Sequence, residues 1–328
     1  MKNLLKFTFV LFLTIPFASC GDDDDVVVVL PDTNTIADFV AANEDYSSLG
    51  AALDAAGLTA TLDGTTEFTV FAPNNAAFSD FLTANGFASL GDVPVPLLTE
   101  VLLNHVIAGK NEAANLTTGY VNTLATFNGE ADAALSMYLN ITNGVTINGG
   151  DAVSGGATVT AADVAVDNGV IHAVNKVIGL PTVVTFALAD SATFSTLVAA
   201  LTRADQPDYV TVLTDANGDD GNAPFTVLAP TNTAFEDLLE ELGADSLADI
   251  EGAVLTAALN THVIAGANVR AEDLTNSVVS TLGEDITIDA TNGTVTDNNG
   301  RVSTIIVTNV QAANGVVHAI DTVLLPTL

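Results

Sequence analysis

The four histidines, His105, His172, His262 and His318, offer this chain the widest range of chemistry. An imidazole titrates near neutral pH and can serve as a general base or as a metal ligand. Either role needs partners at a defined distance, such as a nucleophile, a carboxylate or further ligands. The only cysteine lies near the N-terminus, and the sequence has no Gly-x-Ser-x-Gly, no His-Glu-x-x-His and no glycine-rich phosphate loop.

Each histidine instead follows or interrupts an apolar, largely β-branched run with glycine close by. An imidazole in such a place can fill volume and hydrogen-bond the backbone, so the pattern favours a structural role over catalysis. Metal binding is the alternative, but two histidines brought together would still need a third ligand. The sequence supplies no such ligand that recurs, and we expect no catalytic residue, no metal site and no cofactor.

A second candidate for chemistry is the acidic stretch Asp215–Asp220. Asp215, Asn217 and Asp219 stand at alternate positions, as ligands do in a calcium loop. However, Asp220 occupies position six, where such loops need glycine, and Thr226 occupies position twelve, where they need glutamate. A polar loop is the favoured interpretation, and calcium binding is the alternative.

Three sequence blocks occur twice in the same order. "FTVFAPNNAAF" matches "FTVLAPTNTAF" at eight of eleven positions, "LNHVIAG" matches "NTHVIAG", and "NGVIHAVNKVIGLP" matches "NGVVHAIDTVLLP". They begin at Phe68 and Phe225, at Leu103 and Asn260, and at Asn168 and Asn314. A repeat of about 145 residues is a normal size for a domain with its own core. We therefore predict two domains, at 32–181 and 182–328.

The pattern of apolar residues changes within each copy. Helical spacing dominates the first half, as in "YSSLGAALDAAGL", where Gly57 can end the helix. The second half alternates apolar and polar residues around Asn-Gly pairs, which is typical of β-hairpins. Helices followed by antiparallel strands predict an α+β fold.

The three blocks together resemble the fasciclin (FAS1) domain family, with a match over about nine tenths of the chain that follows Cys20. The resemblance rests on both copies of each block. Its motif residues are Pro73, Pro230, Asn168, Gly169, Asn314, Gly315 and the four histidines. It implies two wedge-shaped domains of mostly antiparallel strands flanked by short helices, and a role in adhesion. Many animal members carry tyrosine before the central histidine, where this chain has Asn104 and Thr261, and there is no Arg-Gly-Asp. Integrin-type recognition is therefore not supported.

The N-terminus has the pattern of an export signal. Lys2 and Lys6 flank or interrupt an apolar run of about fifteen residues, which is too short to span a bilayer comfortably. The end of this segment, "PFASC", resembles a bacterial lipobox, which predicts a signal peptide at 1–19 and lipidation at Cys20. The acidic spacer at 20–31 resembles the export signal of surface lipoproteins, so we expect display on the outer membrane. An ordinary signal peptide and a plain hydrophilic spacer are the alternatives.

Composition narrows the choice of partners. The chain has 40 acidic against 7 basic residues, a formal net charge of −33, and 48% hydrophobic residues. Such a charge repels nucleic-acid phosphates, so we expect no nucleic-acid partner. The predicted function is adhesion by a lipid-anchored surface protein to a protein or polysaccharide on matrix, cells or other surfaces. The alternative is a glycan- or small-ligand-binding module of a surface uptake system.

Overall fold

A computed structural model of the chain describes residues 34–151, 154–214 and 222–327. The predicted signal peptide, the lipidation site Cys20, the acidic spacer and the calcium-like stretch Asp215–Asp220 lie outside these ranges. The described residues belong to one compact unit that contains both copies of the repeat. We call residues 34–181 domain 1 and the described residues from 182 onward domain 2.

Domain 1 begins with helices and ends with strands. Its helices are α1 (Ile36–Ala42), α2 (Ser47–Ala56), α3 (Thr59–Leu62), α4 (Asn75–Ala84) and α5 (Val95–Leu103). Its strands are β1 (Phe68–Pro73), β2 (Val106–Ala108), β3 (Gly119–Thr126), β4 (Ala134–Asn140), β5 (Thr146–Ile147), β6 (Ala157–Val166) and β7 (Gly169–Val174).

Domain 2 repeats this order. Its helices are α6 (Val183–Ala189), α7 (Ser191–Leu201), α8 (Tyr209–Thr214), α9 (Asn232–Leu242) and α10 (Gly252–Thr261). Its strands are β8 (Phe225–Pro230), β9 (Val263–Ala265), β10 (Ser277–Val279), β11 (Ile286–Asp289), β12 (Thr294–Thr296), β13 (Val302–Ala312) and β14 (Gly315–Ile320).

Equivalent strands follow the same order in the two sheets, but the sheet of domain 1 closes into a barrel and the sheet of domain 2 stays open. In domain 1 the order β1 to β7 closes on itself, because β1 pairs with both β2 and β7. In domain 2 the order is β10-β11-β12-β13-β14-β8-β9, with no ladder between β9 and β10. The pairings β1–β7 and β8–β14 are parallel and the other ladders are antiparallel. The predicted α+β class with mostly antiparallel strands is confirmed.

Local sequence explains the main boundaries. The Asn74 side chain accepts from the Ala77 N–H at 2.9 Å and so caps α4, and Gly57 ends α2 at φ +69°. Alternate residues of β1 enter different cores. Val70 and Ala72 face the helices, whereas Phe71 lies in a second core with Met137 and Ile178. Among the described residues no single helix is long and apolar enough to cross a membrane. Only α6 and α7 taken together reach that length, and they are bent by 118°.

Candidate functional site

The central histidine of domain 1 connects α5 to the segment that follows β7. His105 lies just past the end of α5, and its side chain is 2% exposed. Its Nδ1 lies 2.7 Å from the Val101 carbonyl oxygen, and its Nε2 lies 2.8 Å from the Ile178 amide nitrogen. A carbonyl only accepts and an amide N–H only donates, so Nδ1 carries the proton and Nε2 is the acceptor. Burial lowers the pKa of His105 to about 4, and the bond to Val101 opposes this shift.

The central histidine of domain 2 repeats this arrangement. His262 Nδ1 lies 2.7 Å from the Ala258 carbonyl oxygen, and the Leu324 N–H donates to Nε2 at 3.0 Å. Burial again lowers the pKa to about 4. The neutral imidazole therefore joins the same two elements in both copies, and its two nitrogens are both occupied by backbone groups.

The second histidine of each domain uses the other tautomer. His172, on β7, donates from Nε2 to the Asn111 carbonyl at 3.0 Å, and its Nδ1 accepts from the Asp163 N–H at 3.2 Å. His318, on β14, bonds in the same way to Val269 and Asn309, at 2.9 and 3.3 Å. Both rings are fully buried.

These contacts decide what the histidines can do chemically. A general base needs a free lone pair near a substrate, and each acceptor nitrogen here already holds a backbone N–H. No group of three or more His, Cys, Asp or Glu side chains within the described ranges could hold a metal ion. Asn104 and Thr261, the residues before the central histidines, are also fully buried. The arrangement therefore supports the fold, and it offers neither a reaction centre nor an exposed recognition residue.

The Asn-Gly pair before β7 connects the first and last elements of domain 1. The Asn168 amide accepts from the Ile36 N–H at 2.8 Å and donates to the Leu62 and Gly64 carbonyls, both at 2.7 Å. Gly169 has φ +150°, and a Cβ there would lie 1.9 Å from the Phe68 carbonyl oxygen. Only glycine permits this approach of the turn to β1.

The Asn-Gly pair of domain 2 makes equivalent contacts. Asn314 accepts from the Val183 N–H and donates to the Leu213 carbonyl, each at 2.9 Å. A Cβ on Gly315 would lie 2.1 Å from the Phe225 carbonyl oxygen. Each pair therefore fixes a hairpin to the helices that open its own domain.

The prolines of the first block end the strands that lie beside these hairpins. Pro73 is the last residue of β1 and pairs with Val174, while Pro230 is the last residue of β8 and pairs with Ile320. Proline lacks the N–H that would extend the ladder, so each strand ends at this residue. The next helix, α4 in domain 1 and α9 in domain 2, follows directly.

The two domains share a buried polar junction. Asp190, between α6 and α7, is 6% exposed. It accepts from the hydroxyls of Tyr138 and Tyr120, which lie in domain 1, at 3.0 and 3.4 Å. Burial, with the Asp190 charge, raises the pKa of Tyr138 to about 12, so the Tyr138 hydroxyl keeps the proton that it donates at neutral pH. Tyr120 also packs edge-on against Phe186, with ring centroids 5.6 Å apart.

Strand-to-strand contact extends this junction. The Gln311 N–H on β13 donates to the Ser136 hydroxyl on β4 at 3.0 Å, in a fully buried position. At the rim, Arg270 Nη1 lies 3.4 Å from an Asp132 carboxylate oxygen. The two domains are therefore joined directly by buried hydrogen bonds, which involve side chains of Tyr138, Asp190 and Ser136.

Domain 1 carries an open groove between α4, α5 and the segment after β7. Its volume is about 470 Å³. The walls are mainly apolar, from Phe81, Leu97, Val101 and Leu180, and Lys176 and Asp80 are the charged residues that line it. The equivalent place in domain 2 is a cavity of about 50 Å³ with an apolar lining.

Domain 2 has an exposed apolar strip on the first half of β13. Val302 is 55% exposed and Ile306 is 51% exposed, with the exposed Thr304 between them, while Ser303 is buried. This alternation places 302, 304 and 306 on the outer face of the sheet. The hairpin registers of the two domains make Thr160 of domain 1 equivalent to Ile306.

Sequence reasoning identified the histidines and the Asn-Gly pairs but missed the junction, the groove and the strip. Tyr120, Tyr138 and Asp190 lie outside the repeated blocks, so no motif marks them. The groove did leave a signal in the repeat alignment, because Lys176 stands where the second copy has Thr322, and the first copy has one residue more between Ile178 and Pro181.

Comparisons with known proteins agree with the repeat. A family model described as the fasciclin domain matches residues 44–181 and 192–326. Protein sll1483 of Synechocystis sp. is 38% identical over 145 residues, which are 44% of this chain and 72% of that protein. A fasciclin-like arabinogalactan protein of Arthroderma benhamiae is 27% identical over 279 residues, covering 81% of this chain and 60% of its own length.

One solved structure also aligns with both domains. It is a FAS1 domain pair from the insect cell adhesion molecule Fasciclin I, and the alignment covers 84% of this chain and 93% of that one. The TM-score is 0.49 and the sequence identity is 21%. The family resemblance inferred from the three blocks is confirmed by the two family-model matches.

Proposed function

Because the chain belongs to the fasciclin domain family, we propose that it is a lipid-anchored surface protein that mediates adhesion. Its partner is a protein or polysaccharide on matrix, on other cells or on another surface. The observation that carries the proposal is the presence of two domains of a family that occurs in cell-adhesion proteins. The function is one of binding, not of catalysis, since the buried imidazoles already have backbone partners.

Anchorage comes from the N-terminal segment. Cys20 carries the lipid after removal of residues 1–19, and the aspartates that follow keep the spacer solvated. The protein is then an outer-membrane lipoprotein displayed at the cell surface. Many tethered copies multiply a weak contact, so the affinity of a single copy need not be high.

The exposed strip of β13 is the surface we assign to the partner. Val302 and Ile306 are large apolar side chains left in solvent. The first copy has the exposed Thr160 at the register position of Ile306, so the fold itself does not require an apolar residue there. The buried junction joins the domain that carries this strip to domain 1.

Attachment assays test the proposal. Cells that lack the gene should attach poorly to a matrix-coated surface, and the full chain should restore attachment. Ile306→Thr, which copies the first domain, should reduce restoration, whereas Val95→Thr should not, although Val95 is 53% exposed. Full attachment without the gene would refute adhesion, and normal restoration by the Ile306→Thr variant would refute the strip. Protease shaving of intact cells tests surface display, because a periplasmic chain would resist cleavage.

The groove of domain 1 favours the second candidate function, a small-ligand-binding module. Its volume lies within the about 300–1,000 Å³ typical of clefts that hold small molecules. A saturable thermal shift with one small ligand, together with normal attachment after gene deletion, would favour this function over adhesion.

A further inference from the structure

The two domains differ most clearly at the groove. Backbone contacts establish which residues are equivalent there. His105 accepts from Ile178 N–H and His262 accepts from Leu324 N–H, so Ile178 and Leu324 are equivalent. Gly179 and Leu180 then precede Pro181 in domain 1, whereas Leu325 alone precedes Pro326 in domain 2. Leu325 is 5% exposed and lines the cavity of about 50 Å³ in domain 2. Gly179 lines the groove of about 470 Å³ in domain 1.

Local sterics do not demand glycine at 179. A Cβ built there would lie 3.6 Å from the nearest atom, the Gly155 carbonyl oxygen, which is an ordinary contact distance. Its φ also lies outside the left-handed region that favours glycine. Gly156, another residue of the lining, is different, because a Cβ there would lie 2.2 Å from the Ile147 carbonyl oxygen. The absence of a side chain at 179 therefore leaves space in the groove wall that a larger residue could fill.

The charge at the groove points to the ligand. Lys176 is partly buried, and no carboxylate lies within ion-pair distance of it among the described residues. The second copy has Thr322 at this position. In a chain with 40 acidic residues, a lysine without a partner beside an apolar wall can attract an anion. Asp80 also lines the groove, but it is exposed, so its charge is screened by solvent.

We propose that the groove of domain 1 binds a single-chain amphiphile with a carboxylate head. The chain lies against Phe81, Leu97 and Leu180, and the carboxylate pairs with Lys176. This site is separate from the strip on β13, so it does not depend on the adhesion proposal.

Calorimetric titration with decanoate, below its micelle concentration, tests the site. The protein is the full chain with Cys20→Ser, which cannot be lipidated. We expect saturable binding at a ratio of one, at least fivefold weaker binding of the neutral 1-decanol, and no binding of acetate. Gly179→Leu should weaken decanoate binding at least tenfold. Lys176→Thr should weaken it about fivefold, which is the effect of losing one partly exposed ion pair. Asp80→Asn should strengthen it about twofold.

The results separate the possible explanations. Unchanged affinity in a folded Gly179→Leu variant, shown by circular dichroism, would overturn the site, because decanoate would then bind elsewhere. Equal affinity for decanoate and 1-decanol, with no effect of Lys176→Thr, would overturn the assignment of the head group. If Gly179→Leu does not fold, the Lys176→Thr and Asp80→Asn variants still decide, since their opposite effects require a carboxylate in this groove. The Ile306→Thr variant should bind decanoate normally.

Discussion

Acid should destabilise this protein through two histidines that the fold keeps neutral. His105 and His262 have pKa values of about 4 in the folded chain because they are buried. An unfolded histidine titrates near 6.5. Between these values the unfolded chain binds protons that the folded chain does not bind. Stability is therefore complete above pH 6.5 and falls as the pH drops toward 4.

The magnitude follows from the size of the shift. Each proton taken up only by the unfolded chain lowers the free energy of unfolding by about 1.36 kcal/mol per pH unit. Between pH 6.5 and 5, each histidine therefore costs about 2 kcal/mol, or about 4 kcal/mol for both if the domains unfold together. Hydrogen-bonded carboxylates of lowered pKa, such as Glu284 beside Asn298, contribute mainly below about pH 4.5. Burial also lowers the pKa of His318, so this histidine adds to the loss of stability in the same direction.

The assay is urea unfolding followed by far-ultraviolet circular dichroism at several pH values from 7.5 to 5. We expect His105→Gln to be less stable than the wild type at pH 7.5, because packing and hydrogen bonds are lost. Its stability should nevertheless depend less on pH, by about 1.4 kcal/mol per pH unit. His262→Gln is the matched variant in the other copy and should behave in the same way. A wild-type stability that is flat between pH 6.5 and 5 would refute the reasoning, because the rings would then be protonated in the folded chain.

Three further results are expected. Asn168→Ala removes three hydrogen bonds to backbone groups. It should lower the free energy of unfolding by about 2–4 kcal/mol in the same urea assay. A loss below about 1 kcal/mol would contradict the structural role of this amide. Gly169→Ala places a Cβ against the Phe68 carbonyl and should cost at least as much, so a stable variant would show that the turn can move. Tyr138→Phe removes one donor to Asp190 and should cost about 1.5–3 kcal/mol. It should also speed limited proteolysis near residue 182, and an unchanged cleavage rate would contradict the junction.

The sequence predicted the parts of the fold that depend on local chemistry. Gly57 ends a helix, and the Asn-Gly pairs make turns, because these residues favour those backbone conformations wherever they occur. The duplication added long-range information, since a feature present twice is easier to separate from chance. The histidines were interpreted as structural because they stand in apolar runs beside glycine and without catalytic partners in the sequence, but the sequence did not indicate which backbone groups they bond.

Contacts between distant, unrepeated residues could not be predicted. Tyr138 and Asp190 are 52 positions apart, and Ser136 and Gln311 are 175 apart. Each pair joins a residue of domain 1 to a residue of domain 2, so the contact forms only when the second domain packs against the first. Pairs of this kind carry no local pattern, and their identity depends on the relative placement of two finished domains.

The internal duplication also separates structural residues from candidates for function. Both copies keep histidines with the same backbone partners and an Asn-Gly pair with the same close approach, although the copies differ elsewhere. These positions are retained because the shared fold needs them. Ile306 is different, since domain 1 builds the equivalent strand with threonine at that place. At a position where the fold accepts different residues in the two copies, the residue can be selected for binding. The functional differences between the domains should therefore lie at such positions.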